Sequence, residues 1–245
     1  MKKLQISNVI SYVENNIGEF HRKRLTSLAN LKLKKVLLRK NPYLFKAKNI
    51  LTSQDLVKTL LDAHLSSQEE TIFGDFLEEL AIYICQQVYN GQKSSAEGID
   101  LELEKENRKY IVSIKSGPNW GNSGQILQMR TNFRKAKRIL GVHTSTKNIV
   151  AVNDCCYGRD NQPEKGDYLK LCGERFWEFI SGDKKLYIDI VEPLGHKAKE
   201  KNEEFQVAYA QIINKFTLEF SKTFSKNGLI GWSKLVKYNS AAKGN

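Results

Sequence analysis

The chain has 245 residues, enough for one or two domains with a real core. It carries 39 Lys and Arg against 27 Asp and Glu, a formal net charge of +12, so a polyanion is the expected partner and nucleic acid the commonest one. No apolar run approaches the roughly 20 residues of a membrane span, and the N-terminus, Met-Lys-Lys-Leu-Gln-Ile-Ser, lacks the apolar segment of a signal peptide. A membrane location is excluded on this reading and a cytoplasmic one expected. The four cysteines (Cys85, Cys155, Cys156, Cys172) form no CxxC pair and the four histidines are scattered, which gives a zinc site nothing to stand on. Free thiols are expected.

Residues 4 to 17 place Ile6, Val9, Ile10, Val13 and Ile17 at helical spacing, and Gly18 should break or end that helix. A second helical pattern, over residues 19 to 38, carries Arg22, Lys23, Arg24, Lys34 and Lys35. Asn41-Pro42 stops it, with Lys46 and Lys48 following in a loop or turn. Residues 1 to 50 hold 12 Lys and Arg against two acids, Glu14 and Glu19. These cations fit a solvated helix face, or an arm that grips phosphate.

Residues 52 to 65 open on Thr52-Ser53-Gln54-Asp55, a good helix start, with Leu56, Leu60 and Leu61 on one face. A further helix, 69 to 90, is striped by Ile72, Phe73, Phe76, Leu77, Leu80, Ala81, Ile84 and Val88. Glu78 falls at the margin of that stripe, where a carboxylate can reach into a cleft. Glu70 falls on the stripe itself and is the fallback ligand. Asn90-Gly91 ends the helix.

Residues 101 to 104 and 110 to 115 alternate with a period near two, as half-buried strands do, and residues 105 to 108 connect them. Such a hairpin pairs residues whose numbers sum to 213, which sets Asp100 opposite Ser113 with Lys115 a step along on the same face. Leu101, Leu103, Tyr110, Val112 and Ile114 take the buried face. Asp100, Glu102, Glu104, Ser113 and Lys115 look outward. A carboxylate beside an ammonium suits metal-dependent phosphodiester cleavage. The acid holds a hard cation such as Mg²⁺, which polarises phosphate and activates water, while the lysine orients that water or offsets developing charge. The same pattern also fits an exposed hairpin with ordinary surface charges.

After Gly117-Pro118 comes a loop with Asn119, Trp120, Asn122 and Ser123, then a helix from about 124 to 140 with Ile126, Leu127, Phe133, Ala136 and Leu140 inward and Arg130 and Arg134 among its basic residues. Its start offers a phosphate site. Residues 148 to 153 read as a central strand, and 154 to 167 as a polar loop whose Arg159, Asn161, Gln162 and Lys165 are types that pair with purine edges. Residues 173 to 181 form a helix anchored by Phe176, Trp177 and Ile180. Residues 196 to 225 form one long helix that covers the sheet or supplies a dimer surface.

Gly98-Ile99-Asp100 with Ser113-Ile114-Lys115 resembles the active-site hairpin of the PD-(D/E)xK nuclease superfamily. Residues 71 to 81 resemble its first helix, in which a glutamate four after a glycine joins the metal site, here Glu78. Residues 113 to 120 and 172 to 183 resemble blocks of type II restriction endonucleases, the PmeII-like group in particular. The resemblance implies an α/β fold tending to α+β: a central mixed sheet flanked by helices, a restriction-endonuclease-like core over 66 to 240, and a helical, basic N-terminal region over 1 to 65. It implies Mg²⁺ held by Asp100 and Glu78, with the Ile114 carbonyl joining, and Lys115 positioning water. Ile99 stands where the motif has proline. Ser113 stands where it has a second acid, so that acid must come from elsewhere, as in some restriction enzymes of the superfamily. The implied partners are double-stranded DNA, a second copy of the chain for a palindromic site, and a cognate DNA methyltransferase. A DNA-binding protein that does not cleave, and a structure-selective repair nuclease, use the same residues and remain open at this point.

Overall fold

A computed structural model describes residues 2 to 143 and 148 to 242. In chain order the elements are α1 (Ile6–Ala29), α2 (Leu33–Arg39), α3 (Pro42–Ala47), α4 (Ser53–Tyr89), β1 (Gln92–Lys93), β2 (Leu101–Lys105), β3 (Arg108–Lys115), α5 (Ser123–His143), β4 (Ile149–Cys155), β5 (Leu169–Cys172), α6 (Glu174–Ser181), α7 (Leu186–Asp189), α8 (Val191–Leu194), α9 (Ala198–Phe224), β6 (Ser225–Lys226), β7 (Leu229–Ile230) and α10 (Trp232–Ser240). They fall into two compact units. One comprises residues 1 to 18 and 73 to 196; the other comprises 19 to 72 and 197 to 245, of which the last three lie outside the described residues.

The first unit is organised by a five-stranded mixed sheet of order β1-β2-β3-β4-β5, antiparallel from β1 to β3 and parallel from β3 to β5. The β2–β3 hairpin has the expected register, Leu101 opposite Val112 and Leu103 opposite Tyr110. Its turn is tighter than residues 105 to 108. Glu106 and Asn107 alone make it, both at positive φ (52° and 59°), as a two-residue turn matched to strand twist requires. On one face, Tyr110 meets the Phe179 ring of α6 at 5.1 Å, and Leu101 and the Cys85 thiol of α4 both crowd Gly91. The other face is not open to water as the alternation suggests. Met129, Phe133 and Ala136 of α5 pack there on Ile99, Ile111 and Ala151, and Ser113 is 1% exposed. A parallel strand is normally covered on both faces, and β3 is parallel to β4. Leu127 is exposed, and Met129 takes the inward place expected of it. Strand β4 runs two residues past 153, so Asp154 and Cys155 are core, not loop. Strand β5 has no counterpart in the sequence reading.

The second unit is helical. Leu33, Val36, Leu37, Phe45, Leu56, Leu60, Phe216, Phe220, Phe224 and Leu235 form one apolar core. Burying a side chain such as Phe216 or Phe220 is worth roughly 1.5–3 kcal/mol. Helix α9 therefore spends its apolar face inside this unit. The boundary expected at residue 65 is not where the units divide, because α1 and α4 each run through both. Gly18 leaves α1 unbroken, since an interior glycine costs only about 1 kcal/mol relative to alanine. The two helices expected between 52 and 90 are one, α4, with no proline to interrupt them. Pro42 begins α3 instead of merely stopping α2; Asn41 caps it by accepting the N–H groups of Tyr43 and Leu44, and Lys46 lies within it. All four cysteines are free and buried.

Candidate active site

Asp100 sits one residue before β2, and its N–H donates to the Val112 carbonyl at 2.8 Å, so it continues the ladder. The chain reaches it through Gly98, at φ +72°. A Cβ there would stand 2.1 Å from the Asn132 amide, so only glycine fits. Asp100 Oδ2 accepts the Ile114 N–H at 2.6 Å and the Ser113 hydroxyl at 3.4 Å, and lies 3.6 Å from Lys115 Nζ. The acid, the serine and the lysine do share one spot at the end of β3. The side chains of Asp100 and Lys115 are 21% and 29% exposed, partly desolvated yet reachable.

Glu78 arrives from α4. One turn earlier, Gly74 passes the Ser116 side chain at ordinary contact distance, which sets this stretch of helix beside the end of β3. Burial raises the Glu78 pKa, and the charge of Asp100 raises it further, while Lys93 and Lys115 pull it down. Two carboxylates thus stand close enough to repel, with two ammonium groups only partly offsetting them. Lys93 Nζ is 3.6 Å from Glu78. Glu70, the fallback, is exposed and lies in the other unit.

A buried polar chain stands behind the lysine. Trp120 Nε1 donates to Asn153 Oδ1 at 3.1 Å, Asn153 Nδ2 donates to the Ser113 carbonyl at 3.2 Å, and Lys115 Nζ lies 5.5 Å from the Trp120 ring centroid. Trp120 packs and orients. Lys170 donates to the Pro118 carbonyl at 2.9 Å and fixes the turn that follows Lys115. Sequence reading missed Lys93, Asn153 and Lys170. Strand β1 is two residues long and β5 four, too short for periodicity to register.

The remaining expected residues are dispersed. Asn122 and Gln125 exchange hydrogen bonds at 3.0 Å, a capping box on α5. Asn119 and Ser123 are exposed beside it. Arg130 pairs with Asp167 at 2.9 Å, Arg134 lies 4.0 Å from the same carboxylate, and Lys165 pairs with Asp160 at 3.0 Å. Arg159, Asn161 and Gln162 are exposed on the loop those pairs brace. In the helical unit, Arg24 is 12% exposed, paired with Glu69 at 2.7 Å and set over the Phe205 ring, so it serves the core and not a phosphate grip. Lys34 and Lys35 are exposed.

Among the described residues no group of three or more His, Cys, Asp or Glu converges as a metal cage. Two oxygen-only carboxylates are nevertheless what a hard cation such as Mg²⁺ uses when substrate phosphate and water complete its shell. The repulsion felt by Glu78 is the kind a cation relieves. The donor set therefore fits a divalent ion.

A mixed five-stranded sheet with helices packed on it is a restriction-endonuclease-like architecture. The family model of Type II restriction endonuclease EcoO109I matches residues 7–202, and the chain belongs to that family. It is thus a type II restriction endonuclease and its substrate is DNA. No curated protein matches the chain. Among the described residues no helix is long and apolar enough to cross a membrane.

Proposed function

We propose that the chain hydrolyses phosphodiester bonds of duplex DNA at a short, palindromic sequence by PD-(D/E)xK chemistry with Mg²⁺. The observation that carries this is the convergence of Asp100, Lys115 and Glu78 from a strand start, a strand end and a helix. Asp100 and Glu78 would hold the ion, with the Ile114 carbonyl as a further oxygen. A divalent ion held there would supply Lewis-acid chemistry toward phosphate and water. Lys115 orients the attacking water and offsets charge on the scissile phosphate. The Ile114 N–H and Ser113 hydroxyl hold Asp100 Oδ2 and leave its other oxygen for the ion. Ser113 fills the place of the second acid, and Glu78 replaces that acid from the helix. Arg159, Asn161 and Gln162, exposed on the loop after β4, are side-chain types that pair with base edges and serve as the candidate readers. A palindromic target calls for a twofold dimer, so that each active site cuts one strand, and for a cognate methyltransferase to protect the same site.

The test is plasmid digestion in Mg²⁺ against EDTA, with Asp100→Ala and Lys115→Ala beside the unaltered chain. Discrete bands that vanish with EDTA and with either substitution support the reading. Unchanged cutting by both variants removes the site assignment. A smear instead of bands indicates a nuclease without sequence choice.

A further inference from the structure

The helical unit contains a cleft of about 540 Å³ that has no part in this chemistry. Three helices build it. Along the end of α1, Lys23 and Ser27 stand one turn apart with Arg22 and Thr26 alongside, and Asn30 follows in the turn just past the helix. Helix α2 adds Lys35 and Arg39, one turn apart, and α4 adds His64 and Gln68. No carboxylate and no Phe, Tyr or Trp ring is among the described residues that line it. Arg22 is held by Glu19 at 2.6 Å, but Lys23, Lys35 and Arg39 make no ion pair among the described residues. The His64 imidazole is held below its ordinary pKa by burial first and then by the charges of Lys40 and Arg39, so cationic charge reaches this wall of the cleft.

Cations without carboxylates, interleaved with hydroxyl and amide donors, are suited to phosphate oxygens. His64 is the one ring in the lining, and a single ring is no platform for successive splayed bases, which stack ring after ring. We propose that this cleft clamps the sugar–phosphate backbone of duplex DNA through Lys23, Lys35 and Arg39, independently of sequence and of divalent metal. The proposal rests on the reading that the chain acts on duplex DNA, and it adds a contact separate from the residues that cleave.

The test uses the full chain in a Lys115→Ala background, with EDTA and a labelled 24-base-pair duplex of arbitrary sequence, by fluorescence anisotropy across a salt series. Each lost phosphate contact lowers the slope of log K against log salt by about 0.9. The pair Lys35→Ala with Arg39→Ala is expected to flatten the slope by about 2 and to weaken binding roughly tenfold or more near 0.1 M salt. The control pair, Lys199→Ala with Lys234→Ala, removes the same charge from exposed positions of the same unit and should leave the slope unchanged. Unaltered thermal melting in both pairs excludes misfolding. An unchanged slope in the cleft pair, or an equal loss in the control pair, overturns the clamp. Cleft-dependent binding, together with no plasmid cutting in Mg²⁺ by the chain that keeps Lys115, would refute the cleavage reading and leave the clamp standing.

Discussion

Replacing Lys115 by alanine separates two tasks that sit 3.6 Å apart. At that distance, with an effective dielectric constant near 20, its attraction to Asp100 is about 5 kcal/mol before costs. The two side chains are 21% and 29% exposed, and each loses hydration and freedom in pairing, so a net near 1 kcal/mol is the reasonable expectation. A divalent cation competes with that ammonium for the same carboxylate. Lys115→Ala should therefore tighten Mg²⁺ binding by roughly fivefold, the factor that corresponds to about 1 kcal/mol. It should slow cleavage by about 10²–10⁴-fold, the range for a positioned proton-transfer or water-orienting group. Calorimetric titration of Mg²⁺ into DNA-free protein reads the first quantity, and single-turnover cleavage of a labelled duplex reads the second. Metal affinity that falls in step with cleavage would refute the reasoning, because Lys115 would then be maintaining the pocket and not acting on water.

Glu78→Gln removes a carboxylate that burial and Asp100 both disfavour, so the metal-free variant should melt higher than the unaltered chain at pH 7 while losing most of the Mg²⁺-induced rise in Tm. The pH dependence has a definite sign: Glu78 binds its proton more readily folded than unfolded, so the advantage of the variant should shrink as pH falls and the native carboxyl is protonated. Asp154 is 0% exposed with neither carboxylate oxygen partnered, and burial holds its pKa well above the ordinary value. The unfolded chain releases that proton from about pH 4 upward, so unfolding free energy falls as pH rises; Asp154→Asn should flatten urea-melt stability against pH, and an unchanged slope would show that Asp154 is not the group responsible. Gly98→Ala combines positive φ with a clash on Asn132, and should cost at least about 1–2 kcal/mol in a urea melt and weaken Mg²⁺ binding by displacing Asp100. A variant as stable and as tight as the parent would show that Gly98 does not set the approach to Asp100.

What sequence could deliver here follows from how locally each feature is encoded. The β2–β3 register was legible because alternation over Leu101 to Glu104 and Tyr110 to Lys115 admits few pairings, and that register alone brings Asp100 to Ser113 and Lys115. The covering of Ser113 was not legible. Serine in an alternating strand reads as wet, and only the parallel crossover through α5 buries it. Helix α4 looked like two helices because its apolar stripe changes partners: Leu56, Leu60 and Leu61 belong to the helical core, whereas Phe76, Leu77 and Leu80 belong to the other unit. The apolar face of α9 was plain, but an apolar face does not name what it packs against.

The use of Ser113 has a thermodynamic logic. An acid at that position would be almost wholly desolvated and would face Asp100, with Lys115 as the nearest counter-charge, and burying an unpaired charge is costly. Serine keeps a hydrogen bond to Asp100 without that penalty. On the proposed reading the second carboxylate comes instead from Glu78, 26% exposed, on a helix whose neighbouring residues Leu77 and Leu80 are in the core. Metal affinity then depends on how α4 packs near the end of β3, and by linkage a bound cation stabilises that packing by about 2.7 kcal/mol at a hundredfold excess over its Kd. A site that drew both acids from one hairpin would bind its ion with little help from the helix. Here core substitutions in α4, such as Leu80→Ala, should weaken metal binding and folding together, while Lys115, which comes from the strand, keeps its place beside Asp100.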